Sequence, residues 1–205
     1  GAHVTGSNFD PSTLAAGDYT VTYTYTNGAC TGTVTSVIHV NEPPLAGATS
    51  NSPVCEGDAL NLGANGGSTF AWSGPNGFSS TQQNPVINNI STAYTGTFSV
   101  TATLSGCTSS ATSVTATIQE TPATPSASSN SPVCSGNPLT LTANTTSTMP
   151  VSWSWSGPNS YTSNQQNPTV SASATTSLSG QYTVIATASY PGGLSCSSAS
   201  SRVST

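Results

Sequence analysis

Lysine is absent from this sequence, and Arg202 is its only permanently cationic side chain. Charged residues make up 3% of the chain, against roughly a quarter in an average soluble protein. A formal net charge of −5 with one arginine leaves almost nothing to neutralise a phosphate backbone, which argues against nucleic-acid binding. The same shortage argues against electrostatic docking on an anionic membrane. No apolar run approaches the ~18 residues of a membrane-spanning helix, so membrane insertion is not expected. No basic-then-apolar leader opens the chain either. Helical periodicity is also nearly missing.

What is present is alternation. In Tyr19-Thr20-Val21-Thr22-Tyr23-Thr24-Tyr25-Thr26 every odd position is large and apolar and every even one is Thr. Successive side chains of a strand point to opposite faces, so this is a strand with one apolar and one Thr-coated face. Phe98, Val100, Ala102 and Leu104 repeat the pattern, as do Tyr182, Val184, Ala186 and Ala188. Gly17, Gly96 and Gly180 each stand two positions before the leading aromatic.

Repetition is the second signal. Asn51-Ser52-Pro53-Val54-Cys55 returns as Asn130-Ser131-Pro132-Val133-Cys134, and Trp72-Ser73-Gly74-Pro75-Asn76 as Trp155-Ser156-Gly157-Pro158-Asn159. Gln82-Gln83-Asn84-Pro85 returns as Gln165-Gln166-Asn167-Pro168. The spacing is that of a small domain rather than of a solenoid repeat, so the chain reads as a tandem array. Residues 1–43 are expected to be the end of a truncated unit, 44–121 a complete unit, and 122–205 a unit running out near its last strand. Glu42-Pro43-Pro44 and Glu120-Thr121-Pro122 are the expected junctions, since proline does not continue a central strand.

The Gly-x-aromatic-x-Val arrangement resembles the sixth strand of an immunoglobulin-like sandwich, where a tyrosine corner sits. Leu60 and Leu62, or Leu139 and Leu141, match its second strand. Phe70 and Trp72, or Trp153 and Trp155, match its third. Val100 and Val184 then stand where antibody domains carry a cysteine, with Leu62 and Leu141 in the partner place. The expected fold class is all-β: tandem immunoglobulin-like β-sandwiches in an extended array. Asn27-Gly28, between two alternating runs, predicts a hairpin turn.

Five cysteines remain to be placed. Low charge and this cysteine usage point to an oxidising, extracellular location. Two pairings are open. The intra-domain one joins Cys55 to Cys107 and Cys134 to Cys196. In an immunoglobulin-like sandwich, however, the relevant strand ends lie at opposite poles, roughly 20–25 Å apart for seven-residue strands. A disulfide tolerates about 7 Å between Cα atoms. In a head-to-tail array the alternative is an inter-domain staple from Cys55 to Cys196, leaving Cys30, Cys107 and Cys134 to partners outside the chain.

No active site is legible. Glu56 and Asp58 are the only close carboxylates, and Ser135 and Asn137 replace them in the next copy, so a solvated turn is expected rather than a calcium joint. His3 and His39 stand alone, and no C-x-x-C pair exists, so no metal or other cofactor is expected. No G-x-S-x-G elbow or phosphate loop is present, and no catalytic residue is assigned. Phe78 and Tyr161, past the shared Gly-Pro-Asn turn, are candidate glycan contacts, with burial under the loop as the competing placement.

Asn-Ser-Pro-Val-Cys-x-Gly, Trp-Ser-Gly-Pro-Asn, Gln-Gln-Asn-Pro and Gly-x-Tyr-x-Val resemble the immunoglobulin-like (PKD-like) repeats of very large Bacteroidota surface proteins. Such proteins are typically exported by the type IX secretion system and include gliding-motility adhesins. The resemblance implies a structural stalk of an extracellular, cell-surface adhesin or filament, without catalytic residues. Its implied partners are neighbouring repeats, further copies in a fibre, or surface polysaccharide. The alternative it allows is a carbohydrate-binding array attached to a secreted polysaccharide-degrading enzyme.

Overall fold

The structure is a computed structural model and describes residues 4–5 and 8–205; His3 lies outside them. A small antiparallel pair, β1 (Val4–Thr5) and β2 (Asn8–Phe9), precedes a long hairpin of β3 (Gly17–Asn27) and β4 (Cys30–Val40). The hairpin register runs unbroken from Gly17↔Val40 to Asn27↔Cys30. Its loop is therefore Gly28-Ala29, one position later than the expected Asn27-Gly28 turn. Gly28 takes φ +65° as the first loop residue, which suits a II′ turn, where glycine supplies the positive φ.

The following strands are β5 (Gly47–Ser50), β6 (Val54–Cys55), β7 (Leu60–Asn65), β8 (Thr69–Ser73), β9 (Ser79–Ser80), β10 (Val86–Ile87), β11 (Gly96–Leu104), β12 (Cys107–Thr108), β13 (Thr112–Ala116) and β14 (Ile118–Gln119). One sheet runs β10-β7-β5; the other runs β9-β8-β11, with β12 and β13 following each other along the far edge of β11. β6 stands apart from the first sheet and pairs in parallel with β14 in a two-stranded sheet of its own. This is the strand order of an immunoglobulin-like sandwich with a switched first strand.

The order then repeats in β15 (Ser126–Ser129), β16 (Leu139–Asn144), β17 (Ser152–Gly157), β18 (Tyr161–Ser163), β19 (Thr169–Ser171), β20 (Gln181–Ser189), β21 (Ser195–Ser197) and β22 (Ser201–Ser204). Here β15-β16-β19 faces β18-β17-β20, with β21 and β22 along β20. Each sandwich has its own core. Leu60, Leu62, Phe70, Trp72, Phe98, Val100 and Ile118 build the first. Leu139, Leu141, Trp155, Tyr182 and Val184 build the second. Leu62 with Val100, and Leu141 with Val184, are buried, so aliphatic packing against a tryptophan occupies the place of the antibody disulfide.

The recurring words turn out to be one packing unit. Asn76 and Asn159 adopt left-handed φ of 54° and 56°, which asparagine tolerates better than most residues. They follow Gly74 and Gly157, where an added Cβ would strike the rings of Phe98 and Tyr182. Gly96 and Gly180, at φ +148° and +153°, lie against Pro75 and Pro158 in turn. Two tyrosine corners form as expected: Tyr19 and Tyr182 donate their hydroxyls to the carbonyls of Ala15 and Leu178, both at 2.9 Å. Buried Ser109 and Ser198 stitch the last strands to the middle ones, each accepting from the amide of Ala102 or Ala186 at 2.9 and 3.1 Å.

Because the Tyr182 ring closes over Gly157, Gly157→Ala forces overpacking that should cost about 1–3 kcal/mol. Urea unfolding of that sandwich should move to a lower midpoint, while Ser156→Ala at the neighbouring exposed position should leave it nearly unchanged.

Candidate functional site: a stapled joint between sandwiches

Two short backbone segments meet between the cores. β6 carries Cys55 in register with Gln119 of β14, and the amide of Glu56 donates to the Gln119 carbonyl at 2.7 Å. From the other side, β21 carries Cys196 in register with Ala188 of β20. The two cysteines are disulfide-bonded, with S–S 2.03 Å and Cα atoms 5.6 Å apart. Both are buried, Cys196 at 1% exposure.

The intra-domain alternative is thereby corrected. Cys107 lies at the opposite end of its sandwich, its Sγ 3.8 Å from the carbonyl of Asn41, while Cys55 faces Ser195. No bond joins Cys55 to Cys107, or Cys134 to Cys196, because each pair spans a sandwich from pole to pole. Cys30 and Cys134 are exposed free thiols, and Cys107 is half-buried.

Hydrogen bonds hold the linker on both sides of the disulfide. Thr121 Oγ1 donates to the Glu56 carbonyl at 2.8 Å, tying the linker to the first sandwich. The Ala123 amide donates to Ser147 Oγ at 2.7 Å, tying it to the second. Tyr190 adds a third hold, its hydroxyl donating to the Glu120 carbonyl at 2.6 Å beside Met149. Tyr190 belongs to the Tyr190-Pro191-Gly192-Gly193 insertion. Its contact spans 70 positions and ends on a backbone carbonyl, so no sequence pattern announces it.

The remaining candidates behave differently. Phe78 packs edge-on against Phe98 with centroids 5.4 Å apart, and Tyr161 against Tyr182 at 5.7 Å. Both rings are half-buried under their loops and flank the cores instead of forming an open platform. Glu56 accepts from the Thr92 amide at 3.4 Å, so the Glu56–Asp58 turn is tied into its own sandwich. His39 is exposed and meets Asp18 across the hairpin, Nδ1 to Oδ1 2.5 Å, a surface pair of the kind worth at most about 1 kcal/mol. Among the described residues, no three His, Cys, Asp or Glu side chains converge as metal ligands. Among them, too, no helix is long and apolar enough to cross a membrane.

No family model matches the chain. No curated protein matches it. Solved structures give distant likenesses. A chain in the crystal structure of mouse coronavirus receptor-binding domain complexed with its murine receptor is 14% identical, over 76% of this chain and 97% of that one, with TM-score 0.40. Murine CEACAM1b is 14% identical over 76% and 97%, with TM-score 0.38. The amphioxus IgVJ-C2 molecule is 16% identical over 73% and 96%, with TM-score 0.35. The immunoglobulin-like assignment rests on strand order and core composition rather than on these superpositions.

Burial, then the neighbouring Tyr161, raises the pKa of Tyr182; burial, then Glu120, raises that of Tyr190. A tyrosine whose folded pKa is raised stabilises fully below its unfolded value of 10.0 and loses that contribution as pH climbs through the folded value. The thermal midpoint should therefore fall above about pH 10, and Tyr182→Phe should flatten the fall. Phe78→Ala should lower the stability of its sandwich by about 1–3 kcal/mol in denaturant titration, since the ring is only partly buried.

Proposed function

We propose that this chain is a tension-bearing segment of an extracellular bacterial surface rod, of the adhesin or filament kind. Its immunoglobulin-like units are joined head to tail by short proline linkers and cysteine staples, and they hold a distal part away from the cell. The observation that carries the reading is the Cys55–Cys196 bond, which joins two sandwiches that each have a core of their own. A disulfide of this kind belongs to an oxidising compartment. The sequence likeness to repeats of large Bacteroidota surface proteins supports the same setting, as does a surface of Ser, Thr and Asn almost free of charge. The partners are then neighbouring repeats of the same kind.

The staple has a mechanical consequence. Tension applied at the two ends passes from residue 55 through the disulfide to residue 196, so the 141-residue separation between them lies outside the load path. At about 3.5 Å per extended residue that shelters roughly 50 nm of contour. Single-molecule pulling between the ends should give a full extension roughly 50 nm shorter in oxidising buffer than in reductant, and Cys55→Ser should abolish the difference. Equal extension in both buffers would overturn the mechanical role. Antibody to this segment should label intact source cells, and label that appears only after permeabilisation would overturn the surface role.

A further inference from the structure

Two loops are longer in the second sandwich than in the first, and they meet at the joint. Residues 145–151 connect β16 to β17, where residues 66–68 connect β7 to β8. Residues 190–194 connect β20 to β21, where residues 105–106 connect β11 to β12. The first long loop brings Met149, the only methionine of the chain, and the second brings Tyr190. The Tyr190 hydroxyl lies 2.6 Å from the Glu120 carbonyl of the linker and 3.2 Å from Met149 Sδ.

A phenol has one proton to give. The carbonyl is the nearer and stronger acceptor and takes it, which leaves the thioether, a weak acceptor, beside the hydroxyl oxygen. Met149 is half-buried between the exposed Thr148 and Pro150, so a small solute can reach it from solvent. Both loops carry other holds on the joint. Ser147 Oγ, two residues before Met149, accepts from the Ala123 amide at 2.7 Å. The hairpin that carries Tyr190 turns through Gly192 and Gly193 and carries Cys196 on its return strand, with Ala188↔Cys196 in register.

We propose that Met149 is an oxidation site that sets the stiffness of the joint, with hydrogen peroxide as the oxidant. A sulfur lone pair attacks one peroxide oxygen, the O–O bond breaks and an S–O bond forms. The hydroxide that leaves takes the remaining proton of the transferred oxygen and departs as water. Sulfur loses two electrons, peroxide gains them, and the product is methionine sulfoxide. The sulfoxide oxygen is a strong acceptor next to the Tyr190 hydroxyl and competes with the Glu120 carbonyl for its single proton. The added oxygen also needs room in a contact already at 3.2 Å. Tyr190 then leaves the linker, and Ala123, held through the same loop by Ser147, loosens with it. Cys55 and Cys196 offer peroxide no thiolate and stay bonded, so the load path survives while the angle between the sandwiches is freed.

This regulation rests on the stapled-rod reading, and the two fail separately. The whole chain, with Cys30, Cys107 and Cys134 capped by N-ethylmaleimide, is treated with hydrogen peroxide. Peptide mapping by mass spectrometry locates the sulfoxide and the disulfide, and NMR follows amide exchange at Ala123. Sulfoxide at Met149 should raise that exchange rate about 3–10-fold, the effect of losing one hydrogen bond of ordinary strength, and methionine sulfoxide reductase should restore it. Met149→Leu should show no response to peroxide. Tyr190→Phe should exchange faster before treatment and show no further rise, a pattern that general oxidative damage does not produce. An unchanged rate in chain carrying the sulfoxide, or an equal rise in either variant, would overturn the switch while a mapped Cys55–Cys196 bond leaves the rod intact. Absence of that bond from the map would overturn the rod reading and the switch together.

Discussion

Two sandwiches joined only by a Glu-Thr-Pro linker would be free to swing, because a short linker limits distance far more than angle. The bond between Cys55 and Cys196 removes that freedom by adding a second covalent connection across the same junction. Once two connections exist, the hydrogen bonds of Thr121, Ala123 and Tyr190 close at little further entropic cost, since their partners are already held nearby. The parallel β6–β14 pairing belongs to the same constraint. It places Cys55 at the rim of its sandwich by pulling the first strand away from β7 and onto β14. Strand switching inside one unit is thus what makes a cysteine available to the next.

Near-absence of charge leaves the surface to be built from hydroxyls, and these do structural work that ion pairs seldom do. Ser99 meets Ser113 at 2.8 Å, Thr103 meets Thr108 at 3.0 Å, and Thr187 meets Ser197 at 2.8 Å, each pair spanning neighbouring strands. Such cross-strand hydroxyl pairs stabilise register without the desolvation that ion pairs require, and salt does not screen them. Register matters because a one-residue slip would turn every buried aromatic outward.

Much of this was legible in the sequence, for identifiable reasons. Alternation reports which face of a strand is apolar, and Phe98, Val100, Tyr182 and Val184 are buried as their phase requires. The pole-to-pole separation of Cys55 from Cys107 follows from strand direction alone, so topology itself favours the inter-sandwich bond. The hairpin loop was misplaced by one residue because Asn-Gly also fits a I′ turn, and only the long register distinguishes the two. Tyr190 was missed because its partner is a backbone carbonyl, and a carbonyl has no sequence signature. Phe78 and Tyr161 stayed ambiguous between platform and core, since an aromatic after a tight turn serves either use until the ring beneath it is known.

The hairpin shows where pattern reading stops. Tyr23 and Tyr25 continue the same alternation that buries Ala102 in β11, yet they are 67% and 52% exposed, and Val34 across from Tyr23 is 61% exposed. Their chemistry is that of a core strand, down to Tyr25 lying over Gly32 and stacking near Tyr23. What differs is the facing sheet. In the two sandwiches β7 and β16 bring Leu60, Leu62, Leu139 and Leu141 onto that face, and no strand of the described residues does so for β3 and β4. Alternation therefore encodes a face, and a separate set of residues decides whether the face is covered. The same division holds at the cysteines: Cys107 and Cys196 share a register position and a pole, and only the presence of a Pro-Val-Cys strand opposite turns one of them from a thiol into half of a bond.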